Sequence, residues 1–420
     1  MPASLSHFAS TLTVETAFNV LAKAKQLGAK GKTVIELEIG DSPFPSTKSA
    51  KTAGIAAIQA DRSHYCPSAG IPEMREAASD YVNCCCGLKT KPENIVVAHG
   101  AKVMELLFCE TFLNPDDGVL VFSPYFPTYV PNILRRGARA CISDLKQENE
   151  FRPSLKDVKK FLAEDPHPKA IFLNSPHNPT GGIATEEDLR ELADLIRDRD
   201  VAVFSDEPYD QMVWRGRHHS LLEQAGMFGH CVAAYTFSKT FSMSGWRLGF
   251  AVARPEIANM FAQLINSCLS CTPPLVQLAG VAALKNDLEE SRATMRLFRE
   301  KVELLVKGLN TIKGIQCLDP AGTFYVFPRV APICNDLKIT SHGLAMYLLE
   351  AADDQFGVAC LGGECFGAAG GGFLRFSCAE PNERLQQALE FLPKAFSRRD
   401  RVGRFLQANP QFRLKQNYNL

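Results

Sequence analysis

Length, composition and charge exclude several classes of protein before any motif is considered. The chain has 420 residues, too many for one small core, so two domains are expected. Lys and Arg number 46, Asp and Glu also number 46, and the formal net charge is therefore zero. This balance argues against a nucleic-acid partner or an anionic membrane surface, and no apolar run is long enough to cross a bilayer.

The amino-terminal residues and the cysteines indicate a reducing compartment. Residues 1–13 contain no Lys or Arg, so they lack the charged start of a secretory signal and the Arg-rich face of a mitochondrial presequence. The 14 cysteines include an adjacent run at residues 84–86, and their spacing does not match a zinc site. We therefore expect free thiols that act mainly as small apolar residues, no bound metal and a cytoplasmic location.

The predicted elements begin with one helix over residues 14–27, and the middle of the chain then alternates short apolar runs with helical patterns. Residues 185–198 are typical of an amphipathic helix, which Thr185 and Asp188 begin. The predicted strands are residues 95–98, 119–122, 170–174, 201–205, 231–237 and 248–252. This alternation predicts a wound, mainly parallel α/β sheet.

The pattern changes after about residue 285, where a mixed α+β order begins. The predictions there are a long helix over 286–309, a strand at 322–327, a helix near 341–352, a glycine-rich loop at 362–372, a strand at 373–377 and a helix from Pro381. We expect a large domain over residues 46–290 and a smaller domain formed by residues 1–45 with 291–397. Residues 398–420 carry several charges and few periodic apolar residues, so they are predicted to form a C-terminal surface extension.

Lys239 has the most informative surroundings of any residue in the chain. It follows an apolar strand, lies between the hydroxyls of Ser238 and Thr240, and precedes Arg247. Hydroxyls and a guanidinium suit a phosphate dianion, which binds several donors and a fixed positive charge. A lysine beside a phosphate site fits an amine that forms a Schiff base with pyridoxal phosphate.

Asp206 ends another apolar strand, where an isolated carboxylate would be costly unless it were paired. A protonated pyridine nitrogen is a suitable partner, and the pairing would keep the ring cationic. Tyr209 and Asn178, each in a turn after a strand, could donate to the oxygen of the same ring. The alternatives are a helix N-cap for Asp206 and an Asx turn for Asn178, and we expect His177 to be structural or exposed.

Three further features lie at or within predicted strands. Two follow strands of the α/β pattern, and the third lies inside the strand at 373–377. The run Gly100-Ala101-Lys102 opens a helix whose N–H groups could face a phosphate, although a plain tight turn fits equally. An aromatic residue after residues 119–122, Phe126 or its neighbour Tyr125, could stack on a flat ring or simply belong to the core. Arg375 lies in a short apolar strand, so it needs an anionic partner, either a substrate carboxylate or a structural ion pair.

The motifs around these residues, in chain order, resemble the class I/II aminotransferases of fold type I. They are Y-C-P-S-A-G-I-P-E-M-R from Tyr65, N-S-P-H-N-P-T-G around Asn178, S-D-E-P-Y around Asp206, S-K-T-F-S-M-S-G-W-R-L-G around Lys239 and L-R-F-S around Arg375. The resemblance extends from about the first predicted helix to the last. It implies an α/β fold with a mainly parallel seven-stranded sheet in the large domain and a smaller α+β domain.

The resemblance also implies a role for individual positions of this sequence, with pyridoxal 5'-phosphate as the cofactor. Lys239 would form the Schiff base and move the α-proton, Asp206 would pair with the pyridine nitrogen, and Asn178 and Tyr209 would bond the ring oxygen. The remaining cofactor contacts would come from Ala101, Lys102, Phe126, Thr236, Ser238, Arg247 and, from the other subunit of a homodimer, Tyr65. Arg375 and the backbone near Gly40 would bind the substrate α-carboxylate, and Asn178 would contact the substrate as well.

The resemblance implies transfer of an amino group from an amino acid to a 2-oxo acid by ping-pong kinetics. Gly100-Ala101-Lys102 resembles the G-G-K of bacterial aspartate and prephenate aminotransferases, so Lys102 could select an acidic side chain, and Thr13 lies where that branch has a substrate-contacting threonine. The segment G-D-S-P-F-P from Gly40, the glycine-rich loop 362–372 and the residues after Arg398 depart from the usual pattern. If Lys102 only supports the phosphate, the side-chain preference is open.

Two other functions are alternatives to a transaminase. A lyase or a cyclising enzyme of the same fold would share Lys239, Asp206 and Arg375, because these reactions differ in which bond stands perpendicular to the ring. The effector domain of a transcription regulator would need an attached DNA-binding domain, and the roughly 40 residues before the predicted fold show no helix-turn-helix pattern.

Overall fold

The computed structural model describes residues 3–12 and 16–419. The strands are β1 (Thr33–Glu36), β2 (Ile95–Ala98), β3 (Gly118–Ser123), β4 (Arg139–Asp144), β5 (Pro168–Asn174), β6 (Ala202–Asp206), β7 (Cys231–Thr236), β8 (Gly249–Val252), β9 (Tyr325–Val326), β10 (Phe356–Ala359), β11 (Leu361–Gly362) and β12 (Leu374–Ser377). The helices are α1 (His7–Thr11), α2 (Thr16–Ala29), α3 (Lys48–Gln59), α4 (Pro72–Cys85), α5 (Ala101–Phe112), α6 (Tyr129–Arg135), α7 (Leu155–Glu164), α8 (Glu186–Ile196), α9 (Pro255–Leu269), α10 (Pro274–Asn286), α11 (Leu288–Asn310), α12 (Ala331–Leu337), α13 (Ser341–Glu350), α14 (Asn382–Ser397) and α15 (Arg399–Ala408).

A seven-stranded sheet in the order β2-β8-β7-β6-β5-β3-β4 forms the centre of the fold. Only β8 is antiparallel to its neighbours β2 and β7, and the other pairs are parallel. The predicted mainly parallel α/β sheet is therefore confirmed, and each of the six predicted strands is present with small shifts at its ends. The strand predictions missed β4, because this edge strand is mostly exposed or half-buried and so has no continuous apolar run.

Helices cover both faces of this sheet, and successive side chains of one strand enter two separate cores. In β5, Ile171 and Leu173 join the core on one face, whereas Phe172 points into the other. Phe172 packs there against Phe108 of α5 and Phe204 of β6, with ring centroids 5.5 and 5.2 Å away. Burial on both faces explains why these strands are nearly continuous apolar runs.

A core separate from those beside the large sheet, here called the second core, brings the start of the chain together with its last third. β1 pairs in parallel with β10, while β11, β12 and β9 form an antiparallel sheet. The helix α11 contributes Phe298, which is fully buried and stacks on Phe324 at 4.9 Å. This pairing agrees with the expectation that the first residues pack with the last third, while the domain boundaries themselves stay a prediction.

Two expectations for the last third were wrong in detail, although the long helix predicted over 286–309 is confirmed as α11. Asp287 precedes this helix, and its carboxylate accepts the backbone N–H groups of Ser49 and Ala50 at the start of α3. The strand predicted at 322–327 is reduced to β9. Residues 398–420 are not simply a surface extension, because α15 buries three apolar side chains in the second core: Val402, Phe405 and Leu406.

The chain contains no described helix that is both long enough and apolar enough to cross a membrane.

The core residue Phe108 gives a test of the packing. Phe108→Ala should lower the free energy of unfolding by about 3–5 kcal/mol, because it opens a cavity beside Phe172 and Phe204. Urea denaturation measures the loss. The matched control is Leu297→Ala in α11, because Leu297 is 43% exposed, and its free energy of unfolding should stay within about 0.5 kcal/mol of the wild type. Equal losses in the two variants would contradict the assigned core.

Candidate active site

A cavity of about 570 Å³ opens at the carboxyl ends of β5, β6 and β7, where the last third of the chain also meets the sheet. In wound α/β sheets this edge is where ligands bind, because the strand ends and the turns after them converge there. Most of the residues predicted from the sequence line this cavity: Gly40, Ala101, Lys102, Phe126, Asn178, Asp206, Tyr209, Thr236, Ser238, Lys239, Arg247 and Arg375.

Lys239 lies in the turn that follows β7, and its half-buried side chain points into the cavity. Its Nζ donates to the backbone oxygen of Gly40 at 2.5 Å. The same nitrogen lies 5.6 Å from the ring centroid of Phe324 and 5.9 Å from that of Tyr209. Aromatic rings and one carbonyl therefore surround the amine.

Asp206 is the last residue of β6 and is 6% exposed. Tyr129 donates its hydroxyl to Oδ2 of this carboxylate at 2.5 Å. Burial raises the pKa of Asp206 to about 6, against the opposing effects of the Tyr129 bond and the positive charges of Lys239 and Lys102. A turn follows Asp206 instead of a helix, so the N-cap alternative is not realised.

Arg375 and Asn178 meet at one end of the cavity. The guanidinium donates to Oδ1 of Asn178 at 3.0 Å and to the backbone oxygen of Glu38 at 2.5 Å. Its central carbon lies 4.4 Å from the ring centroid of Tyr325 and 4.9 Å from that of Phe366, so two aromatic rings fix its plane. No partner for Arg375 Nε is found among the described residues.

Tyr209 and the loop that carries Asn178 are fixed by short polar contacts. Asn174 accepts from the backbone N–H of Asn178 at 2.9 Å and donates to the backbone oxygen of Asp206 at 2.8 Å. The hydroxyl of Tyr209 contacts that of Tyr325 at 3.2 Å, and burial raises the pKa of Tyr209 well above its usual value. These bonds tie two strand ends to each other and to the last third of the chain.

The predicted phosphate site lies where α5 begins. Gly100 precedes the helix with φ +87°, and a Cβ there would come within 2.7 Å of an Arg247 guanidinium nitrogen, so only glycine fits. The guanidinium donates to the backbone oxygens of His99 and Ser244 at 3.1 and 2.8 Å. Thr236 donates to Ser238 Oγ at 2.9 Å on the facing turn. A helix N-terminus, two hydroxyls and one guanidinium therefore converge here.

The structure separates the two candidates for an aromatic wall. Phe126 lines the cavity, and Nζ of Lys102 lies 5.1 Å from its ring centroid. Tyr125 instead lines a neighbouring cavity of about 650 Å³ and lies against Gly367, whose added Cβ would be 2.8 Å from the ring. Lys102 and Arg247 line both cavities.

Tyr65 and His177 do not line the cavity. Tyr65 is 88% exposed on the surface of the single chain. Thr13 lies outside the described residues. His177 is buried, its Nδ1 is 2.7 Å from Thr180 Oγ1, and burial lowers its pKa to about 4, which fits a structural residue.

Comparison with known proteins decides the family. The model of the family described as aminotransferase class I and II matches residues 32–392. The chain belongs to this family. It is 34% identical over 401 residues to a probable aspartate/prephenate aminotransferase of Aquifex aeolicus, with 94% of this chain and 99% of that protein covered. It is 31% identical over 376 residues to an aromatic-amino-acid aminotransferase of Thermococcus litoralis, which covers 88% and 93% of the two chains.

Solved structures of similar proteins agree with the assignment of this chain to the aminotransferase family. Aspartate aminotransferase of Thermus thermophilus with maleate matches with a TM-score of 0.86 and 30% identity, covering 94% of this chain and all of that one. The fold type I expectation is therefore confirmed.

Sequence reasoning about the aminotransferase missed several residues of the cavity. Glu105 lines the cavity and follows Lys102 by about one helical turn of α5, a spacing that indicates a shared helix face. Tyr129 begins α6 and reaches Asp206 without lining the cavity, so helical spacing does not relate it to Phe126. Glu105 is buried, and its carboxylate accepts from Thr128 Oγ1 at 2.5 Å. Tyr325 gave no such signal, because only the packing of the two cores brings it to the cavity.

A buried polar network in the aminotransferase is centred on Glu207, the residue directly after Asp206. Glu207 is 1% exposed and points to the opposite side of the strand. Its carboxylate accepts from four side chains at 2.6–2.8 Å: Ser205, His218, Ser220 and Tyr235. Such a satisfied network holds the end of β6 rigidly.

No group of three or more His, Cys, Asp or Glu residues within the described ranges could hold a metal ion.

The raised pKa of Asp206 predicts how the stability of the cofactor-free aminotransferase depends on pH. The native pKa of about 6 exceeds the unfolded value, so the native state holds the proton more tightly. This contribution is complete below about pH 4 and is lost as pH rises through about 6, a change of about 3 kcal/mol. Asp206→Asn removes the titration.

Urea denaturation of both proteins between pH 4 and pH 8 measures the effect, and the difference between them isolates Asp206. We expect the wild type to lose stability relative to the variant as pH rises. A difference that stays constant over this range would contradict the desolvated carboxyl.

Proposed function

We propose that this aminotransferase uses pyridoxal 5'-phosphate to move the amino group of an acidic L-amino acid to a 2-oxo acid by ping-pong kinetics. The observation that carries the proposal is the placement of Lys239, Asp206 and Arg375 around one cavity. These are an amine, a buried anion and a buried cation, and they come from three separate parts of the chain. Each would meet a different part of a cofactor and an amino acid.

The residues of the cavity fit the cofactor. The cradle at Gly100, Arg247, Thr236 and Ser238 offers donors to a phosphate, and a side chain at Gly100 would fill it. The carboxylate of Asp206 is buried with a raised pKa, so a protonated ring nitrogen opposite it would stabilise the ionised form. Oδ1 of Asn178 already accepts from Arg375, which leaves the amide nitrogen as its donor toward a ring oxygen.

Bound in this position, pyridoxal phosphate supplies an electron sink for the bonds at the substrate α-carbon. Lys239 Nζ would take the α-proton and return it, with the rings of Phe324 and Tyr209 beside this amine. Asp206, ionised and held by Tyr129, stabilises positive charge at the far side of the cavity. Arg375 orients the α-carboxylate through a guanidinium whose Nε lacks a protein partner among the described residues.

Lys102 is the residue that we propose for recognition of the acidic side chain. It lines the cavity beside Phe126 at the start of α5, whereas Arg375 lines the same cavity from β12. Two cations are what a dicarboxylic substrate requires. The Thermus thermophilus aspartate aminotransferase that matches this chain was solved with maleate, a dicarboxylate, which supports this choice.

We also propose a homodimer in which Tyr65 completes the partner's site. Its 88% exposure in the single chain leaves the ring available to a second subunit. The segment is tied to the end of α9 by a bond from Ser68 Oγ to the backbone oxygen of Ser270 at 2.7 Å, and Leu269 beside it is also exposed. A contiguous exposed apolar area suits a subunit interface. A cytoplasmic location remains part of the proposal and is supported by 14 free thiols.

Lys239→Ala tests the proposed chemistry directly. We expect transamination to fall by a factor of about 10²–10⁴ or more, because the general base is removed. Borohydride reduction of the wild type with pyridoxal phosphate, followed by mass spectrometry, should place the cofactor mass on Lys239. The control Lys285→Ala, at the exposed end of α10, should keep activity and labelling. Labelling of a different lysine would refute the assignment.

Lys102→Ala tests the substrate class. With 2-oxoglutarate, oxaloacetate or pyruvate as acceptor, kcat/KM should fall roughly tenfold to a hundredfold for aspartate and glutamate, while neutral donors lose little. Arg375→Ala should instead impair acidic and neutral donors alike, since it binds the carboxylate that all of them share. Equal losses for both donor classes in Lys102→Ala would leave Lys102 as support for the phosphate. Release of ammonia and pyruvate without an acceptor would favour a lyase.

A further inference from the structure

The glycine-rich loop 362–372 and the C-terminal residues contact each other, although both appeared in the sequence as unrelated departures from the family pattern. Tyr418 donates its hydroxyl to Oε1 of Glu364, which lies in this loop. The ring of Tyr418 also covers the end of the loop, because a Cβ on Gly371 would lie 2.8 Å from Tyr418 Cε1 and one on Gly372 would lie 3.2 Å from Cγ. The absence of side chains at these positions makes room for the tyrosine.

Glu364 joins the loop to a helix as well as to the tail. Its carboxylate accepts from the backbone N–H groups of Ser341 and His342, both at 2.9 Å, and from Ser341 Oγ at 2.5 Å. These N–H groups belong to the first turn of α13, where the helix dipole stabilises an anion. Tyr418 completes this set of donors, and its hydroxyl also accepts from the Ser341 N–H at 3.1 Å.

The tail is held against the same part of the fold by backbone contacts. Asn335 of α12 donates to the backbone oxygen of Tyr418 and accepts from its N–H, both at 2.9 Å. Leu414 N donates to the oxygen of Lys338 at 2.9 Å, and Arg329 donates to the oxygen of Asn419 at 2.5 Å. The position of the Tyr418 ring is therefore fixed by several bonds besides the one it makes with Glu364.

The other side of the loop faces the proposed substrate site. Phe366 is 1% exposed, and its ring centroid is 4.9 Å from the guanidinium carbon of Arg375. Its backbone oxygen accepts from Tyr125 N at 2.7 Å, which ties the loop to the end of β3. Cys365 and Gly367 line the second cavity together with Lys102 and Arg247. The loop thus connects the tail at one end with the carboxylate-binding arginine at the other.

We propose that Tyr418 is a positioning residue for substrate binding: through Glu364 it holds the glycine-rich loop so that Phe366 orients Arg375. The inference rests on the proposed function, because it requires that Arg375 bind the substrate carboxylate. A loop with many glycines gains much conformational freedom when released, so its order depends on contacts from outside. The C-terminal tail supplies one of these contacts through Tyr418, beside those from α13 and from Tyr125.

Tyr418→Phe in the full-length holoenzyme tests this proposal, because it removes the hydroxyl and keeps the ring. Hydrogen–deuterium exchange should become faster in residues 362–372 and in the first turn of α13. KM for the amino donor should rise between about threefold and about tenfold, with kcat nearly unchanged, as expected for the loss of one hydrogen bond to a charged group. Asn417→Ala is the matched control, because it removes an exposed tail contact with Lys338 that does not reach the loop, and it should change neither quantity.

Gly371→Ala examines the same contact from the loop side. Its φ does not require glycine, so the added methyl group acts mainly by displacing the Tyr418 ring, and it should give the same rise in KM and faster exchange. Unchanged exchange in both variants would overturn the role of Tyr418. Faster exchange without a rise in KM would overturn the link to Arg375. If the wild type shows no transamination, the proposed function fails, while the exchange measurement still decides whether the tail orders the loop.

Discussion

The arrangement of the site depends on one buried carboxylate, that of Asp206. A carboxylate at a 6% exposed position is costly unless donors or cations face it, and the structure supplies both. Tyr129 donates to it, while Lys239 and Lys102 contribute positive charge from the cavity. The remaining imbalance appears as a raised pKa, which a cationic group bound in the cavity would reverse. The described side chains therefore leave this buried anion only partly balanced.

The parallel sheet makes this arrangement possible because its strands end at one edge. Asn174, Asp206 and Thr236 close three adjacent strands, and the turns after them carry Asn178, Tyr209 and Lys239. Helix α5 adds its N-terminus to the same edge, so the donors for a phosphate need no separate scaffold. The network around Glu207 supports this edge from the opposite face of β6.

The start of the chain and its last third contribute the other wall of the cavity. Tyr325 contacts Tyr209, Gly40 accepts from Lys239, and Arg375 bonds to Asn178. These contacts join the two cores directly at the reacting end of the cavity. Any movement of one core against the other would therefore alter the distance between the guanidinium of Arg375 and the amine of Lys239.

The sequence by itself determined the sheet, the family and many of the residues that line the cavity, because strand ends of a parallel sheet lie at one edge and their motifs are local. It missed β4, whose edge position leaves no apolar run, and it misjudged α15, whose three buried residues are spread among charges. Tertiary structure alone decided that Phe126 and not Tyr125 faces the cavity, that Tyr129 meets Asp206, and that Tyr418 reaches Glu364. These contacts join residues that lie far apart in the chain or differ only in the direction of a side chain, and neither property is encoded in local spacing.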